Sequence, residues 1–93
     1  MSILNPERPL TDDEKEFIDY LLPKLPPVVA RKEVGRVLGG IVAHQTLNMA
    51  DCAGTGPTIA YRVGRSVVYR TESLLGWLVQ RFGVSRIANL KTL

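Results

Sequence analysis

The run YRVGRSVVYRTESLLGWL, residues 61–78, governs the architecture. It begins inside one β-type run, Thr58 to Val63, and continues through a second, Ser66 to Arg70. Only Gly64 and Arg65 separate them. A two-residue connection with glycine first suits a type II′ hairpin turn, because that position needs a positive φ. Ile59, Tyr61 and Val63 alternate with Ala60 and Arg62, and Val67 and Tyr69 alternate with Val68 and Arg70. Tyr61 and Tyr69 are therefore expected on the inward alternation and Trp77 on a core-facing helix stripe. Thr71 caps that helix, Leu74, Leu75, Trp77, Leu78 and Phe82 form its apolar side, and Gly83 ends it.

Upstream, Gly54-Thr55-Gly56-Pro57 breaks a helix expected over residues 43–52. Its Leu47 and Ala50 fall inward, while His44, Gln45 and Asn48 fall outward. A shorter helix fits Arg31 to Leu38, with Val34, Val37 and Leu38 on one face, and Gly39-Gly40 makes the turn after it. Two short helices joined through a glycine turn give the helix-turn-helix pattern. Val28 and Val29 suit a short edge strand, and Pro23 to Pro27 (PKLPP) an extended connector. Thr11 and Glu14 have capping-box spacing and start a helix over residues 12–22, whose stripe is Phe17, Tyr20 and Leu21. Residues 1–10 read as a loose lead-in, and residues 84–93 as a short helix or a tail docking on a partner. The chain divides into an acidic helix with connector (1–27), a central body (28–82) and a tail (83–93).

With 93 residues the chain makes one domain with a modest core. One cysteine rules out an internal disulfide and suits an intracellular protein. Cys52 is expected to be a half-buried structural residue rather than a reactive thiol. No stretch has signal-peptide or membrane-spanning character. Residues 1–30 carry six acids and three bases, net −3, and residues 31–93 carry nine bases and three acids, net +6. An acidic head thus precedes a basic body, and a basic body attracts polyanions through counterion release.

Helix, turn, helix, Gly-Pro loop, hairpin with an R-V-G-R tip and a Leu- and Trp-rich helix follow in that order. The sequence resembles the winged helix-turn-helix family of phage excisionases and the related MerR-like and AlpA-like regulators. The resemblance covers about residues 28–82. It is carried by Val34 to Leu38, Gly39-Gly40, Thr46-Leu47, Gly56-Pro57, Arg62 to Arg65, Val67 to Tyr69 and Glu72 to Leu78. It implies an α+β, mostly α fold: a winged helix-turn-helix with a two-stranded β-hairpin wing, here with an extra N-terminal helix. It also implies a small bacterial or phage protein of the cytoplasm and nucleoid that binds double-stranded DNA, as a transcription regulator or an excisionase-like recombination factor. Helix 43–52 would enter the major groove and wing 58–70 would touch backbone or minor groove. Unlike typical members, this sequence has Ala43 at the helix cap and no Lys or Arg in that helix.

The residue chemistry fits those roles. Gln45 and Asn48 can bond adenine edges bidentately, Thr46 can meet a thymine methyl or a phosphate, and His44 can bond a phosphate or a base acceptor or remain a surface residue. Arg62, Arg65 and Arg70 on the hairpin suit phosphate or a narrow minor groove, with Arg65 at the tip. Arg31, Lys32 and Arg36 would flank the backbone. No cofactor and no metal are expected, and an enzyme is not, since one His, one Cys and no P-loop glycine pattern leave little chemistry. The alternative is a protein-interaction module of phage or mobile-element origin with the same fold. Its partner or second copy would dock through the acidic helix or the tail.

Overall fold

The computed structural model describes residues 8–87. Helix α1 spans Asp12–Leu21, and its capping box closes on both arms. Glu14 N–H donates to Thr11 Oγ1 at 3.2 Å, and Thr11 N–H donates to Glu14 Oε1 at 3.0 Å. Pro23 sits in the first turn of a 3-10 turn, Leu22–Lys24, where a missing N–H removes no helical bond. The connector therefore starts helical and extends only from Leu25.

Strand β1 (Val28–Ala30) leads into a 3-10 turn, Arg31–Glu33, and then α2, Val34–Val37. The single helix expected over 31–38 is thus divided, with only one turn of α-helix in a segment holding Gly35 and two β-branched valines. After Gly39-Gly40, both at positive φ, comes α3, His44–Ala53, closed by Gly54 in the left-handed region at φ 79°. The hairpin is β2 (Ala60–Val63) and β3 (Ser66–Arg70), and β3 runs into α4, Thr71–Phe82.

The hairpin does not stand alone. The sheet has three antiparallel strands in the order β1-β3-β2, with Val29 opposite Tyr69. Its turn is as expected: Val63 pairs with Ser66, Gly64 has φ 61°, and Arg65 is not at positive φ, which is type II′ geometry. The first strand is shorter than the expected 58–63. Ile59 N–H is instead used by Ser73 Oγ at 3.0 Å, and the Thr58 and Ser73 hydroxyls meet at 3.2 Å.

Register corrects one residue. Ala60 lies opposite Tyr69 and Tyr61 opposite Val68, so Tyr61 is on the face away from Tyr69. Tyr69 is fully buried, whereas Tyr61 is 44% exposed. Tyr69 and Trp77 are core residues as expected; Tyr61 is not.

The core joins Val29, Val34, Leu38, Val42, Leu47, Ala50, Tyr69, Leu74, Leu75, Trp77 and Leu78. Phe17, Ile18 and Leu21 of α1 pack against it, as do Leu22 and Leu25 of the connector, so the acidic helix shares the core of the body. Tyr20 and Phe82 are exposed despite their places on apolar stripes, Phe82 lying edge-on to Trp77 at 6.0 Å between centroids. Cys52 is exposed, not half-buried, because it follows the outward side of α3. Thr71 is the first helical residue rather than the cap, and its hydroxyl donates to the Pro26 carbonyl, fastening α4 to the connector.

A second fastening joins the two ends of the described chain. Glu14, 2% exposed, takes a bidentate pair from Arg8 at 2.7 and 2.8 Å and a bond from Val84 N–H at 3.2 Å. Arg8 also donates to the Val79 carbonyl at 2.7 Å, so it is anchored rather than part of a loose lead-in. Residues 83–87 form no helix, and Arg86 N–H donates to Asp13 Oδ2. The rest of the expected short helix or docking tail lies outside the described residues.

Hydrogen bonding from Arg8, above all, and from the Thr11 backbone lowers the Glu14 carboxyl from its ordinary value of 4.5 to about 2. A carboxyl with a lowered folded pKa stabilises the native state above its unfolded pKa. The contribution fades as pH falls from about 4.5 toward about 2. Thermal unfolding followed by circular dichroism across that range should show a steep loss of melting temperature for the wild type. Glu14→Gln should start lower and lose less with acid; parallel curves for the two proteins would contradict this role.

Candidate nucleic-acid interface

Helix α3 presents two unlike sides. Leu47 and Ala50 are buried in the core, while His44, Gln45, Asn48 and Met49 are exposed and Thr46 is half-buried. This follows from 3.6-residue spacing, with 47 and 50 one turn apart on the inner side. The helix begins at Ala43 without a side-chain cap, so no serine or threonine oxygen occupies its first-turn N–H groups.

The hairpin carries the second group. Arg65 occupies the turn beside Gly64, and Arg62 and Arg65 are exposed with no ion pair among the described residues. Arg70 is exposed and donates to Tyr61 Oη at 3.0 Å across the outer sheet face. Lys32 is exposed in the 3-10 turn after β1. Arg36 is also exposed, and Glu33 holds its Nε at 2.7 Å. That surface pair leaves most of its guanidinium in water and contributes little to stability.

Arg31 behaves differently from the other cations. Its Nε donates to Tyr69 Oη at 2.9 Å, its Nη2 to Asp51 Oδ2 at 2.6 Å and its Nη1 to Asn48 Oδ1 at 3.1 Å. Tyr69 Oη in turn donates to Asp51 Oδ2 at 2.5 Å. Burial, the largest influence, pushes the Tyr69 phenol up to about 12. The expected role of Arg31 as a phosphate-flanking cation therefore does not match its geometry. Its fork is turned inward, onto α3 and the central strand.

This four-residue cluster is the part of the site that sequence reading missed. Two signals were available. Tyr69 falls on the buried face, and a buried phenol needs a partner for its hydroxyl. Asp51 is the only acid between residues 34 and 71. The loop after α3 is shaped around the same carboxylate: a Cβ on Gly56 would fall 1.9 Å from Asp51 Oδ1. Trp77 Nε1 then pins that loop through the Thr55 carbonyl at 2.8 Å. The Gly-Thr-Gly-Pro segment is thus a close-packed turn over Asp51.

Among the described residues, no group of three His, Cys, Asp or Glu side chains could hold a metal ion. No described helix is long and apolar enough to cross a membrane. Compared with known proteins, this chain matches no family model, no curated protein and no solved structure.

Proposed function

We propose that this protein binds double-stranded DNA as a winged helix-turn-helix module, acting as a transcription regulator or an excisionase-like recombination factor. In this reading α2 and α3 are the two helices, with the outer side of α3 in the major groove. The β2–β3 hairpin is the wing. The observation that carries it is the exposed polar side of α3 on a helix whose inner side is anchored, together with exposed Arg62 and Arg65 on a tight hairpin, neither in an ion pair among the described residues.

Physical fit supports it. Gln45 and Asn48 are amides that can read base edges, and an uncapped helix start favours phosphate. An arginine at a hairpin tip is not needed for folding and suits phosphate or a narrow minor groove. The basic balance of residues 31–93 supplies the long-range attraction.

A randomised duplex pool tests this reading. The protein should retain duplex DNA at low salt and enrich one motif, with retention falling steeply as salt rises. Retention without enrichment would reduce the role to backbone or shape binding. No retention at low salt would overturn the reading in favour of a protein-docking module.

A further inference from the structure

An arginine can only donate hydrogen bonds, so the oxygen of the Asn48 amide must be the end that faces Arg31. The guanidinium cannot swing to suit the amide, because Asp51 and Tyr69 hold its other two nitrogens. Both Arg31 and Asp51 have about three-quarters of their side chains covered, at 24% and 25% exposure. Asn48 itself is exposed on α3, and its amide nitrogen has no acceptor among the described residues. The side chain is therefore oriented before any ligand arrives: oxygen toward a fixed positive charge, NH2 group available outward.

We propose that Arg31 is a positioning residue that holds Asn48 as a hydrogen-bond donor, so that Asn48 selects a guanine edge. This rests on the DNA-binding reading above. A bidentate contact to adenine would bring the adenine amino group, a donor, up to an amide oxygen that already accepts from a guanidinium and offers only its second lone pair, beside a positive charge. Guanine presents two acceptors on its major-groove edge, N7 and O6, and meets the free NH2 without opposing the charge. Arg31 thus acts on specificity without touching the duplex, and Tyr69 and Asp51 act on it through Arg31.

The test compares motifs selected from a randomised duplex pool by the wild type, Asn48→Ala, Arg31→Met, Arg31→Lys, Tyr69→Phe and Arg65→Ala, each also titrated against salt. The wild-type motif should contain a guanine whose preference drops about tenfold in Asn48→Ala, the loss of one good base contact. Arg31→Met should lose preference at that same position while keeping the wild-type salt slope. Arg31→Lys should not restore it, because one ammonium cannot bond Asp51, Tyr69 and Asn48 in the same fixed fork. Tyr69→Phe preserves shape and removes one anchor of the fork, so it should show the same loss in weaker form if Arg31→Met does not fold. Arg65→Ala should keep the base preference and lower the salt slope by about one.

Three results would overturn the assignment alone, with DNA binding intact. One is an unchanged preference in folded Arg31→Met and Tyr69→Phe. Another is a salt slope reduced by about one in Arg31→Met, which would make Arg31 a phosphate ligand. The third is adenine at the position that Asn48→Ala relaxes. A wild type that retains no duplex at low salt would overturn the DNA-binding reading, and this assignment with it.

Discussion

Leu47→Ala should lower the unfolding free energy by about 2–5 kcal/mol, the usual cost of truncating a fully buried leucine. Leu47 has no exposed surface and is the larger of the two α3 side chains, with Ala50, that belong to the core. The helix cannot stand without that packing: it is ten residues long, has no side-chain N-cap, and an isolated helix of that length is marginal in water. A domain of this size has only about 5–15 kcal/mol in total, so the loss removes a large share of it. Urea unfolding measures the effect, with a lower midpoint and an unchanged slope. Gln45→Ala, on the exposed side of the same helix, should stay within about 0.5 kcal/mol of the wild type. A Leu47→Ala cost below about 1 kcal/mol would mean that α3 is not seated as described.

The second large effect concerns the hairpin. Replacing Arg62, Arg65 and Arg70 together by alanine should weaken binding to a mixed-sequence duplex on the order of a hundredfold near physiological salt. The reasoning is counterion release. Each phosphate neutralised by a cation adds roughly 0.9 to the slope of log affinity against log salt, so three lost contacts flatten it by up to about 2.7. The fold should survive, since all three are exposed and, among the described residues, only the Arg70 side chain makes a hydrogen bond, to Tyr61. Fluorescence anisotropy of a labelled duplex across a salt series gives affinity and slope together. A triple variant with wild-type affinity at low salt would remove the hairpin from the interface.

Local rules carried much of the architecture. Gly64 announced the turn, Thr11 and Glu14 announced the start of α1, and Leu47 with Ala50 announced the buried side of α3. The outward place of Tyr61 is also legible in the sequence. A two-residue turn pairs even-numbered residues of one strand with odd-numbered residues of the other, so Tyr61 and Tyr69 cannot share a face. One strand's alternation assigns a face only when its partner's register is taken with it.

Other features depend on contacts between distant parts of the chain. The Thr71 hydroxyl looks like a helix cap until Pro26 is beside it, and nothing within a few residues of either predicts that meeting. Arg31 looks like one more cation of a basic body, yet its partners stand 17 to 38 residues away. Of the expected site residues, the fold leaves His44, Gln45, Asn48, Lys32, Arg36, Arg62, Arg65 and Arg70 exposed and Thr46 half-covered. Arg31 is turned from the surface into the fabric of the site. An inward cation and an outward one have the same letter in a sequence, and only packing separates them.

The proposed DNA interface is the outer side of α3 together with the β2–β3 hairpin. Amide chemical-shift mapping tests this most directly, with the isotope-labelled protein titrated by a duplex at low salt. The largest shifts should cluster at residues 44–49 and 62–66, with smaller ones near Lys32 and Arg36. Shifts confined to α1 and residues 83–87, or none at saturating duplex, would contradict it.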